Sequence, residues 1–270
     1  MYRIAPSEVN PPSTAEVTSL LELAVPRFTA MLRKAGPGSR RIPHLEWTVG
    51  ETAAHVWLTV SGYPSLFGER RHHMRDVENS GAANTDQIKS ISERDPVRLA
   101  AMIERDAPAL VEAFRAHGGE KMNYVAGFRA SSSSVAALVV GELYVHGWDI
   151  AQAAKVDWTI PPGAALTMIR GAAELLPMYV SPEAATFRGT FAVRLKGGLS
   201  MTMRFADGAM TVTEGVSGRP DCRIWADPVA FALTSSGHSS RWSSALRGKI
   251  VTYGRKPWLG LRLPTLLRNP

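Results

Sequence analysis

The chain has 270 residues, 45% of them hydrophobic and 20% charged, which suits a soluble globular protein of one or two domains. No apolar run approaches the roughly 20 residues of a membrane-spanning helix, and the opening Met-Tyr-Arg-Ile-Ala-Pro-Ser-Glu lacks the basic start and apolar stretch of a secretory leader. The single cysteine, Cys222, excludes an internal disulfide and points to a reducing cytoplasm.

The formal charge is +7, and it is unevenly placed. Asp227 is the last acidic residue. Beyond it lie Arg241, Arg247, Lys249, Arg255, Lys256, Arg262 and Arg268, which equal the whole excess. A basic tail favours anionic partners or is a solvated surface. No nucleic-acid motif interleaves these cations, so DNA and RNA are not expected as partners. Pro264 interrupts the Trp-Leu-rich tail and argues against a long amphipathic anchor, so no stable membrane association is expected.

The first half reads as helical. Leu20, Leu21, Leu23, Ala24, Phe28, Met31 and Leu32 recur at helical spacing after a Pro-Pro-Ser-Thr start. Thr48-Val-Gly-Glu51 has the form of a capping box, opening a helix to about Val60. Residues 65–94 are polar and poorly periodic and read as a long connection. Asp95-Pro96 starts a third helix with the stripe Leu99, Met102, Ile103, Leu110, Val111 and Phe114. A fourth runs from about Val135 to Lys155 after a serine run, and Pro161-Pro162 opens a further helix to about Tyr179. Helices of this number with one long crossover fit a bundle.

The texture changes after Pro182. Segments 191–195, 199–205, 210–213, 221–225 and 249–253 read as strands, with Asp207-Gly208 as a turn between two of them. Asp227-Pro228 opens a short helix, and residues 257–267 are apolar enough to pack as a last helix. Cys222 falls in a strand and reads as a buried, inert thiol. The expected division is an all-α domain over 1–180 and an α+β domain over 181–270.

Two segments about ninety residues apart carry the chemistry: Trp47-Thr-Val-Gly-Glu-Thr-Ala-Ala-His55 and Gly141-Glu-Leu-Tyr-Val-His-Gly-Trp-Asp149. Glu142 and His146 are four apart, so they share one helix face a turn apart. A facing helix can bring His55 to the same point, giving two imidazoles and a carboxylate, a set that suits a zinc-type ion with an open fourth position. Asp149, three residues beyond His146, is placed to hold a histidine N–H, to cap, or to face solvent. The spacing alone is weak, because Glu51/His55 and Glu69/His73 share it. Glu51 belongs to the capping box, and Glu69/His73 lies in a polar stretch. Hydrogen-bonded core histidines remain the alternative. The apolar neighbours Ala53, Ala54, Val56, Val140, Leu143 and Val145 favour a partner for the Glu142 carboxylate, since burying it unpaired is costly.

These two segments resemble the signatures of the mycothiol-dependent maleylpyruvate isomerase family, over roughly residues 15–180. The resemblance implies a DinB-like four-helix bundle in which His55, Glu142 and His146 bind a divalent metal, usually zinc. It also implies mycothiol as thiol cosubstrate and a small-molecule electrophile as substrate. The C-terminal half is similar to the sterol-carrier-protein-2-like domain often fused to this bundle, through Ala226-Asp-Pro-Val-Ala-Phe-Ala-Leu-Thr234 and Leu246-Arg-Gly-Lys-Ile-Val-Thr-Tyr-Gly254. In the fused family that domain contributes an arginine, for which Arg219, Arg223 and Arg241 are the candidates. Activity is expected to be an isomerisation or an S-transfer by an activated thiolate, in a monomer or homodimer. The competing expectation is a carrier whose C-terminal domain holds an apolar ligand between Met201, Met203, Phe205, Trp225, Phe231, Trp258 and Leu261.

Overall fold

The computed structural model describes residues 7–67, 80–125 and 128–268. The chain forms two compact units, Pro12–Ile160, and Met1–Pro11 with Pro161–Pro270. No helix among the described residues is long and apolar enough to cross a membrane.

A two-residue strand, β1 (Ser7–Glu8), precedes the first unit and belongs to the second. The first unit holds α1 (Thr14–Leu32), α2 (Val49–Gly62), α3 (Ser80–Lys89), α4 (Pro96–Ala116), a hairpin of β2 (Lys121–Val125) and β3 (Phe128–Ser131), and α5 (Ser132–Ala154). Helices α1, α2 and α4 start where a side chain accepts from the orphan amides of the first turn, whereas α5 has no such side-chain cap. Ser13 accepts from Glu16 N at 3.2 Å, and Asp95 accepts from Val97 N at 2.8 Å ahead of Pro96. The Thr48/Glu51 capping box forms as expected, with Thr48 N donating to Glu51 Oε2 at 2.8 Å. Helix α1 packs on α4 and α5, and α2 packs on the same two helices. Phe28, Leu32, Leu99, Ile103, Leu110, Phe114 and Leu143 are fully buried between them. Their apolar stripes carry α1 through Pro26 and α4 through Pro108, despite the lost amide donors.

Two elements of this unit depart from expectation. Residues 80–89 are helical where a structureless connection was expected. Among the described side chains of α3 only Ile88 is buried, so the segment shows no apolar period to read. Lys121–Val125 and Phe128–Ser131 pair antiparallel as β2 and β3, which the sequence pattern does not announce.

The second unit contains α6 (Pro162–Leu175), β4 (Gly189–Leu195), β5 (Ser200–Ala206), β6 (Ala209–Glu214), β7 (Cys222–Ala226), α7 (Pro228–Ser235), α8 (Arg241–Leu246) and β8 (Ile250–Tyr253). Its sheet runs β1-β6-β5-β4-β7-β8, so β8 is an edge strand. The β5–β6 turn places Asp207 and Gly208 at φ 54° and 73°, the mirror-image turn that suits a two-residue hairpin. All five expected strands are present, joined by the unexpected β1, which pairs parallel with β6. Helix α6 packs on α7 and β1, so the division between units falls at Ile160/Pro161 and not near residue 180. The expected last helix is instead two short 3-10 turns, Pro257–Leu261 and Leu263–Thr265, separated at Arg262. Cys222 is fully buried on β7, and burial pushes its thiol up, away from nucleophilic behaviour. The residues named as a possible apolar lining do not converge. Met201, Met203 and Phe205 are buried, while Trp225, Trp258 and Leu261 are exposed.

A close approach beside α5 constrains one glycine. A Cβ on Gly147 would stand 2.4 Å from the Trp158 ring. Trp158 is itself held by donation to Tyr144 O at 2.9 Å and by the Arg27 guanidinium over its face. Gly147→Ala should therefore lower stability by about 1–3 kcal/mol, although alanine is the better helix former. Urea unfolding reads this directly, and an unchanged or higher midpoint would refute the packing account.

Candidate metal centre

His55 lies in the second turn of α2, while Glu142 and His146 lie one turn apart on α5. The packing of α2 on α5 brings the three together. His55 Nε2 is 3.0 Å and His146 Nε2 is 3.1 Å from the same oxygen, Glu142 Oε2. One ligand atom from each residue lies within 4.8 Å of the others. Donors around a tetrahedral ion with bonds of about 2.1 Å stand roughly 3.4 Å apart, so the observed spacings need little adjustment. Both imidazoles are about nine-tenths buried, and the Glu142 side chain is 31% exposed, which leaves the cluster open on its carboxylate side.

The cluster is braced from behind. Asp149, fully buried, takes the Nδ1–H of His146 at Oδ2 (3.1 Å) and meets His44 Nε2 at Oδ1 (2.7 Å). This fixes which His146 nitrogen faces Glu142. The sequence offers Asp149 through its spacing from His146, but no signal for His44, which lies in a loop. Trp47 closes another side, with its ring centroid 5.0 Å from His55 and 6.3 Å from His146. Its indole N–H donates to Thr85 Oγ1 on α3 at 3.3 Å.

His44 and Trp47 hang from one pinned loop. Gly50 N donates to Gly38 O and Val49 N to Arg40 O, each at 2.8 Å. Arg94 clasps the neck: a Cβ on Gly50 would stand 2.4 Å from its carbonyl oxygen. Its guanidinium donates to the Ile88 and Ile91 carbonyls at the end of α3. Glu51 spends its carboxylate on the capping box. Glu69 and His73 lie outside the described residues. Arg219, Arg223 and Arg241 all lie in the second unit: Arg219 in the exposed β6–β7 loop, Arg223 half-buried on β7, and Arg241 exposed at the start of α8.

The charges are strongly coupled. Burial, the largest single influence, pushes the Glu142 carboxyl up. His55 and His146 together outweigh it and hold that carboxyl well below the usual carboxylate range. Burial likewise works against charge on His146, yet hydrogen bonds to Asp149 and Glu142 push it up to about 10. With no ion bound, His146 is thus an imidazolium between two carboxylates. Stability from a raised histidine is present below its ordinary value of 6.5 and is lost as pH rises through about 10. Stability from the depressed Glu142 is present above 4.5 and is lost as pH falls through its lower folded value. Chelator-stripped protein should therefore lose melting temperature between pH 7 and 10, and His146→Gln should flatten that decline. A decline equally steep in both proteins would show that His146 is not the group responsible.

Residues 39–151 match the family model described as the mycothiol maleylpyruvate isomerase N-terminal domain. The matched stretch contains His44, Trp47, His55, Glu142, His146 and Asp149. The chain is also similar to a crystal structure of a histidine-to-alanine mutant of the mycothiol-dependent maleylpyruvate isomerase. That match has 16% identity and a TM-score of 0.56, and covers 89% of this chain and 93% of that one. The crystal structure of the mycothiol-dependent maleylpyruvate isomerase itself matches with 16% identity, the same coverage and a TM-score of 0.53. At this identity the likeness is one of fold. No curated protein sequence matches the chain.

Proposed function

We propose, from the match of residues 39–151 to the mycothiol maleylpyruvate isomerase N-terminal domain model, that the chain is a metal- and thiol-dependent enzyme of that family. It acts as an isomerase or S-transferase on a small electrophile such as maleylpyruvate, with mycothiol as the thiol. One observation carries the reading: the Nε2 atoms of His55 and His146 meet at a single oxygen of Glu142, at 3.0 and 3.1 Å. Two nitrogens and one oxygen at this spacing suit a divalent ion, zinc in the first place, with a fourth position open.

A bound zinc ion supplies one thing, the deprotonation of a thiol at its open position. The remaining work falls to this chain's own residues. Asp149 accepts the Nδ1–H of His146, so the Nε2 lone pair of His146 faces the ion. Two neutral imidazoles and one carboxylate leave a divalent site with net positive charge, which favours the thiolate, the nucleophilic form. Trp47 lies against both imidazoles and keeps water from that side. In an isomerisation, sulfur bonds to one carbon of an activated cis double bond and the electron pair moves onto the activating group. Rotation about the resulting single bond and loss of the thiolate restore the double bond in trans form. In an S-transfer, the carbon–sulfur bond forms as a leaving group departs.

The finer fold reading accompanies the functional one. Helices α1, α2, α4 and α5 are read as a DinB-like four-helix bundle, the second unit as a sterol-carrier-protein-2-like domain, and the compartment as cytoplasm.

Purified chain should contain about one zinc per molecule and turn over an electrophile only with a low-molecular-weight thiol present. Chelation should abolish turnover, and added zinc should restore it. His146→Ala should lose both metal and turnover, so a full equivalent of metal in that variant would refute the ligand set. Asp149→Asn should weaken zinc affinity by roughly 10–100-fold. His44→Ala should weaken it less, because Asp149 keeps its bond to His146. Competition with a chromophoric chelator reads all three affinities.

A further inference from the structure

Among the described residues, seven of the nine exposed large hydrophobic side chains fall between positions 225 and 261, all in the second unit. The edge strand β8 organises them. Trp225 and Val251 are cross-strand partners on β7 and β8, and Arg223 and Tyr253 are partners on the same face. Helix α8 leads directly into β8. It presents Trp242 and Leu246 four residues apart, at 68% and 88% exposure. The turn Pro257–Leu261 packs against β8 through Gly260, whose Cα abuts Thr252 on the face opposite Val251 and Tyr253, so the two sets of exposed side chains flank the β8 edge from either side. It buries Leu259 and leaves Trp258 and Leu261 outside, at 61% and 63% exposure. No acidic residue follows Asp227, while Arg241, Arg247, Lys249, Arg255, Lys256 and Arg262 surround these side chains and are all exposed.

From this arrangement we propose that the β8 edge, with α8 and the Pro257–Leu261 turn, is a docking surface for an anionic lipid membrane. The interaction is reversible adsorption, with no helix of this chain inserted across the bilayer. Exposed tryptophan and tyrosine suit the interfacial zone of a bilayer, where an apolar ring with one polar atom is half solvated. Lysines and arginines around them draw the surface toward acidic headgroups. The charge distribution decides between occupants. A second copy docked on the same surface would set one cationic ring against another. A nucleic acid would match the cations but leave Val251, Leu246 and Leu261 without a role.

The test is co-sedimentation of the full chain with phosphatidylcholine vesicles and with vesicles that also carry about 30% phosphatidylserine. Binding is expected to the anionic vesicles alone and should weaken roughly tenfold between low and high salt. Trp242→Ser with Leu246→Ser, and separately Trp258→Ser with Leu261→Ser, should each weaken it by about tenfold. Both double variants should keep the parent's melting temperature, which separates lost docking from lost folding. Absent binding, equal binding to neutral vesicles, or full binding by both folded double variants would overturn the proposal. So would a concentration-dependent dimer that both double variants abolish, which would assign the surface to a second copy. Binding to duplex DNA that survives both double variants would assign the cations to nucleic acid instead.

Discussion

A single carboxylate oxygen on Glu142 sets the terms for the first unit. It meets two largely buried imidazoles from two different helices. An unpaired carboxylate there would cost several kcal/mol, so the approach of α2 to α5 must keep both histidines in reach. The requirement passes outward. His146 reaches Glu142 through Nε2 only because Asp149 holds Nδ1, and buried Asp149 in turn meets His44. The polar groups form a connected network in which each member satisfies the next. Such a network rigidifies a core when complete and destabilises it when one member is lost.

The two signature segments mix chemistry with construction. His55, Glu142 and His146 converge, whereas Thr48 and Glu51 only close the first turn of α2. Gly50 and Gly147 contribute nothing but the lack of a side chain. One lets the Arg94 backbone reach α2, and the other lets Trp158 lie against α5. Trp47 belongs to both kinds, since it walls the cluster and ties it to α3 through Thr85.

Legibility in the sequence followed apolar periodicity. Helices α1, α4 and α5 each bury a long stripe, and the starts of α1 and α4 carry recognisable caps, so pattern and structure agree. The hairpin of β5 and β6 was readable from Asp207-Gly208, because few other dipeptides accept two successive left-handed conformations. Helix α3 was hidden because Ile88 is the one buried side chain among those described in it, and β1 because two residues have no period. In the tail, an apolar stretch suggested a helix, but Pro257 and Pro264 deny amide donors to any continuous ladder. Among the site residues, Glu142 and His146 were visible through their spacing and His55 through the capped helix that carries it. His44 had no such frame, since its place depends on loop closure and not on a repeat.

That loop has a consequence of its own. Its two ends are fastened by the Gly50–Gly38 and Val49–Arg40 hydrogen bonds and wedged against Arg94. Between the fastenings it delivers His44 to Asp149 and Trp47 to His55, two contacts separated by a fixed count of residues. Adding or removing a single residue between Gly38 and Gly50 would put one of them out of register. Across evolutionary time this segment should therefore accept exchanges of its exposed letters while holding its length constant, which reverses the usual behaviour of a surface loop.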